Sequence, residues 1–227
     1  MNEWSMQKQR NKTPARLSHA LYLLAILVTA TSCGLAISTE QKLDSGQQAF
    51  DDGDFRAAII SAKDVLIDEP DNTRARILLG QASVAVGDGV SAEKEFERAL
   101  ALGIDFSEVI VDLGRALLQQ QKFDEVLNRI QVNAAAEDDK ISTMRIRAEA
   151  FLGNGQPETA RDVLYEVLEI EGADVEAQLG IVRTYLTEGN RQQARETLNH
   201  VLADNGDYVP ALQLSGLLHL DTRNVRQ

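Results

Sequence analysis

A period of 34 residues constrains this chain more than any other feature. Small residues recur at that spacing: Gly46, Gly80 and Gly114 are followed by Ala148, Val182 and Gly216. A second register runs through Gly53, Gly87, Gln121, Gly155, Gly189 and Arg223, and a third through Ala58, Ala92, Val126, Ala160 and Ala194. All three hold without insertion or deletion. Self-similarity at one fixed period marks an array of identical supersecondary units, each unable to bury its apolar face alone.

Each unit reads as two helices. In "ARILLGQASVAVGD" an apolar helix runs to Gly87-Asp88, and "SAEKEFERALAL" forms the next. The glycine suits a helix end that needs positive φ. Asp54, Asp88 and Asn190 follow it directly, where their side chains can cap the first free N–H groups of the second helix. Gly80 and Ala92 let the paired helices approach closely, and Leu79, Phe96 and Ala99 fill the interface. The acidic stretch "DDGDF", residues 51–55, could pass for a calcium loop. Counted from Asp51, however, the twelfth position is Ala62 rather than the closing Glu of an EF-hand. The same slot holds "VGDGV", "NGQPE" and "EGNRQ" in other units, so it is read as a turn and no metal site is expected.

These positions resemble the tetratricopeptide repeat (TPR), a 34-residue helix–turn–helix unit. The likeness rests on Leu79, Gly80, Gly87, Ala92, Phe96 and Ala99 in residues 73–106, and on Gly46, Gly53, Phe55, Ala58 and Pro70 in residues 39–72. Residues 107–140 keep Leu113, Gly114 and Phe123 but carry Gln121 in the turn. Residues 141–174 keep Ala148, Phe151, Gly155 and Ala160, and residues 175–208 keep Tyr185, Gly189 and Ala194. The family's first Trp is absent throughout. The resemblance implies an all-α fold, a right-handed α-solenoid of five units with an incomplete sixth at residues 209–227. It also implies a concave groove, lined by the first helices, that receives a protein or peptide partner. By position the groove would present Phe50, Arg74, Gln81, Val84, Arg115, Leu118, Arg145, Glu149, Leu152, Arg183 and Leu186. Its four arginines are either solvated or available to partner carboxylates. The clamp for chaperone C-termini uses Lys and Asn on first helices. Leu43, Gln47, Ile77 and Gln81 stand there instead, so that clamp is not expected.

The N-terminus has its own pattern. Lys8, Arg10, Lys12 and Arg16 make residues 1–19 basic, and "ALYLLAILVTATSC" follows, ending in small residues and Cys33. A basic segment, an apolar segment and small residues form a secretory signal. With Cys33 at the junction, the pattern resembles a bacterial lipoprotein signal over residues 1–32, with a lipid anchor and tether at 33–38. The implied location is the cell envelope, on a membrane facing the periplasm, the outer membrane before the inner. The alternatives are simple cleavage, or an uncleaved membrane helix, because residues 20–37 form a run of 18 without a charge. A lipoprotein start joined to such repeats also resembles repeat lipoproteins associated with exosortase protein sorting and exopolysaccharide systems, whose members are as a rule several times longer.

Other features narrow the function. Residues 1–32 hold four of the 23 Lys/Arg and one of the 35 Asp/Glu, leaving the rest at −15. Such a surface is repelled by nucleic acid, and no nucleic-acid partner is expected. Cys33 is the only cysteine, which excludes an internal disulfide. His19, His200 and His219 are not spaced as metal ligands, and no phosphate loop or nucleophile elbow occurs. No catalytic residue is nominated, no cofactor is implied, and an enzyme is not expected. His219 occupies an aromatic packing position of the family, so core or interface packing is expected of it. "VPALQLSGLLHL", Val209 to Leu220, matches the first helix of a sixth unit with an apolar surface. It is expected to dock a partner, pair with a second copy, or mark a cut in a longer protein.

Overall fold

The computed structural model describes residues 38–224. Cys33 and the whole signal segment lie outside them. Spatial proximity divides the chain into residues 1–41 and 42–227. In the described part of the first unit, Ser38 and Gln41 cap reciprocally. The Ser38 N–H donates to Gln41 Oε1 at 3.1 Å, and the Gln41 N–H donates to Ser38 Oγ at 3.2 Å.

Eleven α-helices and no strand occur among the described residues. They are α1 (Thr39–Asp51), α2 (Phe55–Asp68), α3 (Thr73–Ala85), α4 (Gly89–Ala101), α5 (Ile110–Gln119), α6 (Phe123–Arg129), α7 (Lys140–Gly153), α8 (Pro157–Ile170), α9 (Val175–Thr187), α10 (Arg191–Asp204) and α11 (Val209–Asn224). The second unit is an all-α solenoid of helix pairs.

One turn is used five times. The glycine slot has φ of +80° at Gly53, +82° at Gly87, +73° at Gly155 and +75° at Gly189. The next N–H reaches back five residues, as in Asp54 N to Ala49 O (2.8 Å) and Asn190 N to Tyr185 O (2.8 Å). This pattern satisfies carbonyls that the helix end would otherwise leave open. Asp54, Asp88 and Asn190 then accept from Ala57, Ser91 and Gln193 N–H groups and start the second helices. The aspartates around Gly53 are therefore a stop and a start. Among the described residues no three His, Cys, Asp or Glu side chains converge on a metal-sized site.

The second helices bury the same three positions. Ala58, Ala62 and Val65 do so in α2, Ala92, Phe96 and Ala99 in α4, Ala160, Leu164 and Val167 in α8, and Ala194, Leu198 and Val201 in α10. Opposite them, glycines hold the first helices close. A methyl group on Gly80 would stand 2.5 Å from Phe96 Cε1, and one on Gly114 would stand 2.9 Å from Ile146 Cγ2. Polar pairs bridge successive units. Glu93 accepts from Lys122 Nζ and Gln120 Nε2, both at 2.6 Å. Burial works against the Glu93 carboxylate, but these donors and the charges of Lys122 and Arg129 outweigh it, holding its pKa below the usual value.

The third pair departs from the pattern. Helix α6 has only seven residues, and two 3-10 turns, Val132–Ala134 and Glu137–Asp139, replace its second half. Its third core position would be Asn133, where other units place Ala99, Val65 or Val167. Burying that amide without a partner would be costly, and Asn133 is exposed instead. The shortened end is closed from the next unit: Arg147 Nη1 donates to the carbonyls of Leu127 (3.0 Å) and Ile130 (2.8 Å). Burial lowers the Arg147 pKa from its ordinary value.

The same unit has Gln121 in the glycine slot, at φ +57°. A left-handed conformation costs an L-residue about 1–2 kcal/mol, while glycine carries an unfolded-state entropy penalty of about 0.5–1 kcal/mol. Gln121→Gly is therefore expected to stabilise the fold by about 0.5–1 kcal/mol, read as a higher urea midpoint. A lower midpoint would show that the slot is not strained.

Candidate functional site

The first helices α3, α5, α7 and α9 each pack against the next, so equivalent positions line up across units. The residues expected in the groove form two rows. One is apolar and half-buried: Phe50, Val84, Leu118, Leu152 and Leu186. Phe50 meets Phe55 edge to face, with ring centroids 5.4 Å apart. Val84 and Leu118 rest on the central core, and Leu186 rests on the last. These side chains are partly committed to packing and offer only their outer faces.

The polar row is more varied. Gln81 Nε2 donates to Asp112 Oδ2 at 2.9 Å, and Arg115 Nη1 donates to the same carboxylate at 3.1 Å. Arg74 Nη2 is 4.0 Å from Asp44. Arg145 is held by two carboxylates at the start of α9, Asp174 at 3.1 Å and Glu176 at 2.6 Å. Three of the four arginines are thus matched within the chain. Arg183 is different: it is exposed, and among the described residues no carboxylate lies within 4.0 Å of its guanidinium. Glu149, at the equivalent position one unit earlier, is likewise exposed and makes no ion pair among the described residues.

Arg145, Glu149, Leu152 and Arg183 come together around one cavity of about 410 Å³, between α7, α9 and the start of α11. The buried Leu164 and Leu179 form its apolar floor, and Tyr208 and Pro210 also line it. Helix α8 is tied to the end of α9. Arg161 donates to both Glu188 oxygens, at 2.8 and 2.9 Å, and lies 4.8 Å above the Tyr185 ring. The Glu188 carboxylate raises the Arg161 pKa. Phe50, Arg74, Gln81, Val84, Arg115, Leu118 and Leu186 do not line this cavity.

Sequence reasoning missed the internal partners Asp112, Asp174 and Glu176, and the cavity residues Leu164, Leu179, Tyr208 and Pro210. The period held a signal for the partners. An arginine at the fifth position of one unit and an acid at the second position of the next lie on adjoining helices, as Arg145 and Glu176 do. At the far end of the array, Val209, Leu212 and Leu217 of α11 are exposed, while Ala211 and Leu218 are buried against α9 and α10. His219 is exposed rather than part of the core, with Nδ1 2.7 Å from the Ser215 carbonyl. Among the described residues no second helix follows α11 to cover it.

Two tetratricopeptide repeat models match the sequence, over residues 43–105 and 151–217. The chain belongs to the tetratricopeptide repeat family, whose members are generally non-catalytic scaffolds for protein–protein contacts. Among curated proteins it is 29% identical over 189 residues to cellulose synthase operon protein C of Xanthomonas axonopodis pv. citri (strain 306). That match covers 78% of this chain and only 12% of the relative. A thermophilic TPR protein of Thermus thermophilus shares the fold with a TM-score of 0.63 and 15% identity, covering 81% of this chain and all of that one. YrrB, described as a TPR protein with an unusual peptide-binding site, superposes with a TM-score of 0.58 and 17% identity, over 83% of this chain and 97% of its own.

Proposed function

We propose that the chain is an exported, lipid-anchored scaffold of the bacterial cell envelope that receives a protein partner along its first helices. The observation that carries this reading is the open cavity between α7 and α9, where buried leucines meet a cation, Arg183, that has no ion-pair partner among the described residues. Pockets of this size with a few convergent polar groups are the usual places for a ligand segment. The likeness to cellulose synthase operon protein C supports an exopolysaccharide setting. The exosortase-type resemblance supports protein sorting.

A photo-crosslinking residue at Leu152, on the cavity, should capture a discrete partner in the native host, while one at Ile67, 76% exposed on α2, should not. Equal capture from both positions would refute the groove. Anchoring is tested by the mass of the purified N-terminus. A diacylglyceryl-modified Cys33 fits the lipoprotein reading, and an intact Met1 fits an uncleaved helix, which the uncharged run at residues 20–37 favours. Among the described residues no helix is long and apolar enough to cross a membrane. Val209, Leu212 and Leu217 supply a second contact surface, for a partner or a second copy. Light scattering that finds a monomer soluble at high concentration would remove that role.

A further inference from the structure

The cavity between the fourth and fifth pairs carries charge in a specific arrangement. Arg145 is held between Asp174 and Glu176, at 3.1 and 2.6 Å, so its charge is fully paired and the three groups together carry a net negative charge. Two charges remain unmatched among the described residues: Glu149 on α7 and Arg183 on α9, at the same register one period apart. The same cavity is lined by the apolar Leu152, Leu164 and Leu179, beside the paired Arg145 and Glu176. Packed helices lie about 8–10 Å apart. An extended peptide advances about 3.3–3.6 Å per residue, so it crosses from one helix to the next in roughly three residues.

We infer that this cavity selects an extended peptide segment bearing opposite charges three residues apart with an apolar side chain between them. Its acid is set against Arg183 and its base against Glu149. A uniformly acidic segment would gain at Arg183 and lose at Glu149, and a uniformly basic one the reverse. A wholly apolar segment would seat on the floor but forgo both ion pairs. A carboxylate opposite an arginine is the pairing that planar guanidinium geometry favours, and the clamp-type positions are occupied by uncharged Leu43, Gln47, Ile77 and Gln81. Leu152 and the leucines below it would give affinity, and the two charges would give orientation. This inference rests on the groove reading above and adds the class of ligand.

The test uses the full chain in mild detergent and fluorescein-labelled peptides. The probes are Gly-Lys-Leu-Ala-Glu-Gly, its reverse-order counterpart Gly-Glu-Ala-Leu-Lys-Gly, and a version of each with both charges replaced by Gln. One charged order should bind about five- to tenfold more tightly than the other and than its Gln version, as two partly exposed ion pairs allow. Arg183→Glu should abolish that preference, and Arg183→Glu combined with Glu149→Lys should reverse it. Arg56→Glu, on an exposed arginine of α2 outside the groove and the cavity, should leave the ranking unchanged. Thermal melts confirm that each variant is folded. An unchanged ranking in Arg183→Glu, or Gln peptides that bind as well as charged ones, would overturn the inference. If no peptide binds while the Leu152 crosslinker still captures a partner, the inference fails and the groove stands. If both fail, the groove reading falls and takes the inference with it.

Discussion

Phe96→Ala is expected to lower stability by about 3–5 kcal/mol, because a fully buried aromatic ring leaves both its transfer energy and a cavity behind. Gly80→Ala should also destabilise, by about 1–3 kcal/mol, even though alanine is ordinarily the better helix former by about 1 kcal/mol. The sign is set by the ring, which leaves 2.5 Å for a carbon that needs well over 3 Å. Combining the two should cost less than the sum, since removal of the ring makes room for the methyl group. Chemical denaturation of the two single variants and the double variant measures this directly. An additive result would mean that Gly80 and Phe96 are not in contact in solution, and a neutral Gly80→Ala would mean that the pair can slide apart freely.

Glu95→Ala is expected to cost about 3–5 kcal/mol, the usual penalty for stranding one member of a buried ion pair. Glu95 and Arg76 have side chains only 8% and 11% exposed, with Nη1 and Oε2 2.6 Å apart. Arg98 holds the other Glu95 oxygen at 2.9 Å, and Arg76 Nη2 donates to the Pro70 carbonyl. The pair ties α3 to α4 at a site that is largely shielded from solvent. Replacing both members by apolar side chains, Arg76→Met with Glu95→Leu, should be close to neutral by comparison. A Glu95→Ala loss under about 1 kcal/mol would class the pair with exposed salt bridges.

Much of this fold was legible because its determinants repeat. Gly80 facing Phe96, the caps at Asp54, Asp88 and Asn190, and the turn at Gly53 all follow from local chemistry that the period copies from unit to unit. The third pair was less legible. Gln121 and Asn133 mark departures in the sequence, but the premature end of α6 depends on Arg147 arriving from the next unit to take up two carbonyls. A long-range contact of that kind has no local signature. The candidate site divides in the same way. The rows of Leu152 and Arg183 came from position alone. Which arginines stay unmatched depends on Asp112, Asp174 and Glu176 on adjoining helices. His219 was expected in the core or at an interface, and its exposure sets aside only the core, because the burial of that position depends on a helix that does not follow it among the described residues.

The shortened α6 also bears on how the array holds together as a thermodynamic object. Stacked repeats behave as a one-dimensional chain of coupled elements, in which each link's strength decides whether neighbours melt together or apart. Helix α6 has half the length of α8 or α10, and of the three core positions it buries Val126 alone, with Ile130 buried just past its end. The link it makes through its second helix is therefore expected to be weaker than those of α8 and α10. The array is expected to lose cooperativity there, with α1–α5 and α7–α11 exchanging their amide hydrogens as two blocks of different protection. An array with such a joint is expected to open there as well as at its fraying ends, and a partner spanning both blocks would stabilise it by more than the contacts made to either one alone.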